Sequence, residues 1–306
     1  MKLFVGLTND RWFHFLSELR PDEVNFWRPR SVSQFHVLQP GDLFLFKLHA
    51  PHHFIVGGGF FVKHLVFPLS YAWDSFNEKN GASNIQEFYE MILAVRRDRA
   101  LNPPIGCTIL AEPFFWERRL WILSPEDFGR NIVQGKSYTV ESPTGKRLWE
   151  EVMSRLQGRL WSSEDARKGE WDTPRYSREF LTRARLGQGT FKVLVTESYQ
   201  RRCVVSGERA LPVLEAAHIK PFAENGPNRV DNGLLLRADI HNLFDSGYLT
   251  ITPAYRIEVS RRIREEFENG KEYFKFHGQN LTVLPSRSEE HPRREFLEYH
   301  NSKFLG

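Results

Sequence analysis

Cysteine is scarce. Cys107 and Cys203 are the only two in 306 residues, about a hundred positions apart. That excludes a disulfide framework and any metal site built on four thiolates. Long apolar runs are also missing. The longest, such as Phe54 to Val62, reach about nine residues, whereas a membrane helix needs about twenty. Met1 to Asp10 lack the basic start and apolar core of a secretory leader, so a cytoplasmic protein with no membrane partner is expected. No internal repeat or low-complexity tract is present. The hydrophobic fraction of 41% and charged fraction of 26% are those of a folded chain of about two domains.

Charge of one sign is not dominant either, since the net is only +4. Its distribution is informative. Residues 175–202 hold seven Lys/Arg against two Asp/Glu. A local basic strip of this kind suits a polyanion.

Residues 1–145 read as a mixed α/β unit. Strands are predicted at Leu3–Leu7, Leu43–Leu48, Phe54–Val62, Gly106–Leu110 and Leu120–Leu123, and helices at Asn9–Leu19 and Asn84–Val95. Ile85, Phe88, Ile92 and Val95 form the apolar stripe of the second helix. The triple glycine Gly57-Gly58-Gly59 points to a bulge or close backbone approach in a curved sheet. Many short strands with few helices point to a small barrel. Leu148–Leu160 reads as a helix and Ser162–Thr173 as a polar connector, so 146–174 is assigned as helix and linker. Residues 175–306 form the second unit, with helices at Ser177–Ala184, Thr190–Tyr199, Asp239–Phe244 and Arg261–Glu268. Cys203–Val205 and Val213–His218 read as a hairpin. The fold class is α+β.

The chemistry concentrates in three segments: Leu214-Glu215-Ala216-Ala217-His218-Ile219-Lys220-Pro221, Val230-Asp231-Asn232-Gly233, and Asp239-Ile240-His241-Asn242-Leu243-Phe244-Asp245. A strand-end histidine is followed by an asparagine fourteen residues on and a second histidine nine further. His241 and Asp245 stand at i and i+4, one helix face, and can point at one metal ion. His218 comes from another element and can face the same point. A base for water and a divalent ion to stabilise phosphate charge are what phosphodiester hydrolysis requires.

This pattern resembles the HNH endonucleases, whose active site is a ββα-metal finger. The resemblance makes His218 the general base, Asn232 the brace of the loop that orients it, and His241 a metal ligand. Asp245 falls where some members carry another ligand. The position before the base, often a ligand in the family, is Ala217 here, so Asp245 or waters must complete the set; Glu215 is a weaker candidate. Cys203-Val204-Val205-Ser206 keeps one cysteine of a paired-cysteine knuckle, so no structural zinc is expected and the cofactor is Mg²⁺ or Mn²⁺. The lead-in Arg183-Ala184-Arg185-Leu186-Gly187-Gln188-Gly189-Thr190-Phe191-Lys192 resembles that of restriction-type members. Arg183, Arg185, Gln188, Lys192 and Lys220 are the candidate DNA-backbone contacts. The histidines His49, His52, His53 and His64 read as a solvated cluster.

The first unit resembles the PUA-like superfamily, nearest its EVE type, through Val24-Asn25-Phe26-Trp27-Arg28-Pro29, Leu38-Gln39-Pro40-Gly41-Asp42-Leu43 and Ile55-Val56-Gly57-Gly58-Gly59. The resemblance implies a curved barrel holding a base turned out of the duplex. Trp27, Tyr71 and Trp73 are candidate pocket walls and Asp74, Asn77 and Asn80 candidate edge readers. The combination resembles modification-dependent restriction enzymes. It implies a bacterial defence nuclease acting on double-stranded DNA that carries 5-methylcytosine or 5-hydroxymethylcytosine, with a homodimer favoured for cutting both strands. The alternatives are an HNH nuclease that reads unmodified sequence and a nucleic-acid-binding protein with an inactive finger.

Overall fold

The strand β1 (Lys2–Thr8) runs parallel to β3 (Leu43–Leu48), with α1 (Asp10–Leu19) in the connection between them. Parallel strands need such a crossover. Asn9 caps α1, its side chain accepting the Trp12 N–H at 2.7 Å, and Trp12, Phe13 and Leu16 bury one face. In this computed structural model residues 1–30, 35–96, 100–129, 131–160 and 186–306 are described. They divide into two units, 1–185 and 186–306.

In the first unit β3 forms an antiparallel hairpin with β4 (Phe54–Pro68), which pairs with β5 (Pro104–Phe115). The strand order is β2 (Glu23–Arg28), β5, β4, β3, β1, β7 (Gly135–Thr139), with the short β6 (Ile122–Leu123) beside the start of β4. The glycines bend it. The β4–β5 register shifts between Gly58 and Phe60, and a Cβ on Gly57 would lie 2.2 Å from the Phe114 carbonyl oxygen. Strands β2 and β3 are three spacings apart, about 14 Å on a flat sheet, yet the Phe26 and Phe44 rings meet at 4.6 Å. The sheet is therefore strongly curled. It is not the expected barrel: among the described residues no ladder joins β2 to β7. The interior is filled instead by phenyl rings. A Cβ on Gly6 of β1 would stand 2.5 Å from the Phe44 ring and 3.2 Å from Phe26.

Helix α2 (Leu69–Phe76) lay unmarked in the sequence. It leads into the fully buried Asn80, whose backbone carbonyl oxygen accepts both the Trp12 and Trp27 indole N–H groups. Helix α3 (Ile85–Leu93) is capped by Asn84 as its sequence suggests. Its buried stripe is narrower than predicted. Phe88 and Ile92 are buried, but Ile85, the first residue of the helix, is exposed, and so is Val95, which lies past its end at Leu93. Helix α4 (Pro143–Leu160) sets Leu148 and Val152 into the interior of this unit.

The second unit opens with α5 (Gln188–Ser198). The predicted pairing of Cys203–Val205 with Val213–His218 does not form. Cys203–Val205 enter a turn in which the Cys203 Sγ accepts the amides of Ser206 and Arg237. A buried turn and a buried strand present the same short apolar run. The partner of β8 (Leu214–His218) is β9 (Gly233–Arg237), antiparallel, with His218 opposite Gly233. Helix α6 (Ala238–Asp245) follows at once and ends at Gly247, φ +74°, a left-handed stop that glycine takes without strain. The hairpin β10 (Leu249–Ile251) and β11 (Ile257–Val259) comes next, then α7 (Arg262–Phe267), α8 (Lys271–Phe274) and α9 (Arg294–Asn301). Phe191, Val195, Tyr199, Leu235, Ile240 and Phe244 stand in its core. No helix among the described residues is long and apolar enough to cross a membrane. The segments Ser162–Thr173 and Ser177–Ala184 lie outside the described residues.

One imidazole is locked into this core. His300 stacks on Phe244 at 3.5 Å between ring centres, its Nε2 donates to the Phe244 carbonyl at 3.0 Å, and its Nδ1 meets Thr250 Oγ1 at 2.8 Å. Burial lowers its pKa to about 4, opposed by the Phe244 carbonyl and aided by the Lys303 charge. The unfolded chain takes up this proton near pH 6.5 and the folded chain only near pH 4. Stability is therefore lost as pH falls between these values, by up to about 3 kcal/mol. His64, half-buried in the first unit rather than solvated, is lowered to about 4 by burial and Arg28. Thermal melts from pH 7 to 4.5 should show falling midpoints, with a shallower fall for His300→Gln. An equal slope for that variant would assign the effect elsewhere.

Candidate functional site

His218 ends β8, and its ring packs face to face on Phe191 of α5, with centroids 3.9 Å apart. The Nε2 atom meets Asn228 Oδ1 at 2.8 Å. The Asn228 Nδ2 donates to the Leu186 carbonyl at 2.7 Å, which turns its oxygen toward the imidazole. Nε2 therefore carries the proton, and the Nδ1 lone pair is the basic one. Burial lowers the His218 pKa, opposed by the Asn228 hydrogen bond and supported by the nearby His241; Asp245 pulls the other way. The ring is thus neutral at ordinary pH, as a proton acceptor must be.

Asn232 is fully buried between the two strands. Its Oδ1 accepts the Lys220 amide, and its Nδ2 donates to the Lys220 and Pro227 carbonyls, all at 2.9–3.0 Å. It binds backbone on both sides of the loop that follows His218.

His241 faces out from α6 between two carboxylates. Its Nδ1 lies 2.7 Å from Glu215 Oε2 and its Nε2 lies 3.3 Å from Asp245 Oδ2. Glu215 and Ala217 alternate onto one face of β8. Ala217 is buried in the core, so no donor stands there, and Glu215 supplies the carboxylate two residues earlier. A carboxylate on Nδ1 fixes the ring and leaves Nε2 to a cation. The Nε2–Asp245 pair then offers two adjacent donors. Among the described residues no three His, Cys, Asp or Glu side chains converge on one point. Such a pair fits a divalent ion that keeps waters and takes phosphate oxygens, as Mg²⁺ does, rather than one caged by protein. His218, His241 and Asp245 line one cleft of about 490 Å³.

Lys220 follows the histidine strand, with Nζ 5.1 Å from the Tyr299 ring centre. Gln188 is the exposed first residue of α5, and Lys192 is half-buried on the same helix. Arg183 and Arg185 lie outside the described residues. Asn228, Phe191 and Glu215 are the side chains that sequence reasoning missed or ranked low. Only Glu215 left a signal, its i−2 relation to Ala217.

In the first unit, the rings predicted to wall a pocket are engaged in packing. Trp27 donates to the Asn80 carbonyl at 2.8 Å and meets Phe88 edge-on. Tyr71 is buried against Phe67, and Trp73 lies on Phe88. Asp74 and Asn77 are exposed, and Asn80 is fully buried. A different cleft, of about 1180 Å³, opens beside α1. Phe13, Phe115, Trp116 and Trp121 line it, with Arg20, Arg118, Arg119 and Arg155. Trp116 is buried, and among the described residues its indole nitrogen has no hydrogen-bond partner.

The HNH endonuclease family HNH_2 matches residues 203–252, which span β8, β9 and α6. The second unit thus contains an HNH endonuclease domain. No curated protein matches the chain. Among solved structures, a "Modification dependent TagI restriction endonuclease" is 13% identical, with 93% of this chain and 76% of that one covered and a TM-score of 0.28. At that score the likeness carries no argument about fold or function.

Asn228 holds His218 without touching the cleft's other donors. Asn228→Ala should leave DNA affinity within about twofold and lower the single-turnover cleavage rate by about 100-fold, the scale of a misplaced reacting group. An unchanged rate would show that the amide does not orient the imidazole.

Proposed function

We propose that this DNA endonuclease is modification-dependent: the first unit binds a modified cytosine, turned out of double-stranded DNA, and the second hydrolyses a phosphodiester bond nearby. The observation that carries the reading is the aromatic cleft beside α1, in a unit separate from the His218–His241 cluster. An extruded base needs ring faces to stack on and polar groups at its edge. Phe115 and Trp121, both half-buried, offer faces, and the arginines offer donors to base and phosphate. In this reading the pocket lies beside α1 rather than at Trp27, Tyr71, Trp73 and Asp74.

In the second unit His218 takes a proton from water at Nδ1, while Asn228 holds the proton on Nε2. Asn232 keeps the loop fixed as the imidazole becomes charged. Glu215 orients His241, and His241 with Asp245 would hold Mg²⁺ or Mn²⁺. A bound divalent ion would supply Lewis-acid stabilisation of charge on the phosphate and the leaving oxygen. Restriction of modified DNA in the bacterial cytoplasm, by a homodimer cutting both strands, is the setting this chemistry suits.

His218→Ala should lower the cleavage rate by about two to four orders of magnitude with binding intact. Because the His218 pKa is lowered, the base stays neutral further into acid. The acidic limb of the wild-type pH–rate profile should therefore lie below the ordinary histidine value of about 6.5. A limb above that value would remove His218 as the base.

The reading of modification is tested on one DNA prepared with cytosine, 5-methylcytosine, 5-hydroxymethylcytosine or glucosylated cytosine. Wild type should cut one or more modified forms in preference to cytosine. Trp121→Ala should weaken binding of the preferred form by about 1–3 kcal/mol, the worth of one stacked base. Equal cutting of all four would favour a nuclease that reads unmodified sequence. No cutting of any would favour a binding protein with an inactive finger.

A further inference from the structure

The cleft that holds His218, His241 and Asp245 has another wall, supplied by residues 299–303, outside the span that matches the HNH family. This wall is fastened to the catalytic helix. Beyond the His300–Phe244 stack, the Asn301 Nδ2 donates to the Ile251 carbonyl at 3.0 Å. The Leu305 amide donates to the Gly247 carbonyl at 2.9 Å, and the Ser260 hydroxyl donates to the Leu305 carbonyl at 2.6 Å. Gly247 ends α6 and also makes room, since a Cβ there would stand 2.6 Å from the Lys303 carbonyl oxygen. Tyr299 and Lys303 are thereby held at the rim of the cleft.

Two ammonium groups gather on one ring. Lys303 Nζ is 4.7 Å and Lys220 Nζ 5.1 Å from the Tyr299 ring centre. Each gains from the ring's negative face, but each also feels the other's charge. Glu224 Oε1 meets Lys303 Nζ at 2.5 Å, with both side chains 45% exposed. Among the described residues no carboxylate pairs with Lys220. The group therefore carries a net positive charge beside the candidate proton acceptor, and an exposed ion pair of this kind is worth little. A phosphate oxygen can take the place of the Glu224 carboxylate at small cost.

We propose that Lys303 and Lys220, held by Tyr299, clamp a backbone phosphate of the DNA strand lying in the cleft, and that Glu224 occupies Lys303 until that phosphate displaces it. This rests on the nuclease reading of the second unit, and it adds to Lys220, which the finger contains, two residues that the finger does not, Tyr299 and Lys303. The contact is to phosphate, so it carries no base information.

The test uses the full chain and a short fluorescein-labelled duplex in EDTA, with affinity followed across a series of KCl concentrations. Each phosphate contact contributes about 0.9 to the slope of log affinity against log salt. K303A should reduce that slope by about one, and K303R should restore it. E224Q should bind several-fold more tightly than wild type at low salt. Thermal melts check that each variant is folded. A K303A slope equal to wild type, or weaker binding by E224Q, would overturn the proposal. If K303A fails to fold, K303R and E224Q still decide: a reduced slope for K303R or weaker binding by E224Q overturns the clamp. The slope is read without cleavage. Failure of the nuclease reading, seen as no cutting with Mg²⁺ or Mn²⁺, is therefore a separate result.

Discussion

The candidate cleft depends on one buried amide. Asn232 must satisfy both of its ends away from water, and it does so only with the backbone of the loop between β8 and β9. Its own carbonyl also accepts the Ile219 amide at 2.9 Å. Three hydrogen bonds thus tie the chain just past His218 to the start of β9, and a fourth holds the Pro227 carbonyl. Gly226 lets the loop fold back, since a Cβ there would overlap the Lys220 carbonyl oxygen at 1.8 Å. The fold-back delivers Asn228 to His218. Each buried backbone group left unpaired would cost about 1–3 kcal/mol, so the loop has little alternative.

The other half of the cleft is set by α6. The i,i+4 step puts His241 and Asp245 on one face, and the β8–β9 register brings Glu215 to the opposite side of the His241 ring. The candidate proton acceptor and the candidate cation donors therefore come from different pieces of the same small finger, and neither is adjustable without the other. Helix α9 and the residues after it brace α6 from its far end through His300 and Leu305. The rigidity comes from packing and hydrogen bonds, with the Cys203 thiol serving as an amide acceptor inside a turn.

What was legible in the sequence follows the range of each interaction. His218, Asn232 and His241 stand out because their spacing lies within one strand–loop–helix segment. Asn228 and Phe191 do not, because their contact with His218 exists only once the loop and α5 have folded onto β8. The Cys203–Val205 run misled because apolar residues in a buried turn look like a strand. In the first unit, curvature was readable from Gly57-Gly58-Gly59, whereas closure was not: it depends on whether edge strands find each other or meet phenyl rings. Which rings line a cleft is hidden for a related reason. With 25 Phe, 8 Trp and 9 Tyr in the chain, composition cannot separate a ring that packs, such as Trp27 on Phe88, from one that lines a cleft, such as Trp121. Asn80, which takes the Trp27 indole, declares its role only in three dimensions.

The division of labour proposed for the two units would have an energetic consequence. Phosphate contacts near the cleft raise affinity for every DNA alike. Discrimination by modification must then arise where a base is enclosed. Burying one extra methyl group is worth about 0.8 kcal/mol, a preference of only about fourfold at equilibrium. A cleft lined by Phe115 and Trp121 cannot by that contact alone separate a rare modified site from an excess of ordinary cytosine. Selectivity beyond a few-fold requires either that cytosine fails to enter the cleft or that occupancy there governs whether the second unit cuts. The tighter the sequence-independent grip of the second unit, the more of the discrimination must fall on that coupling.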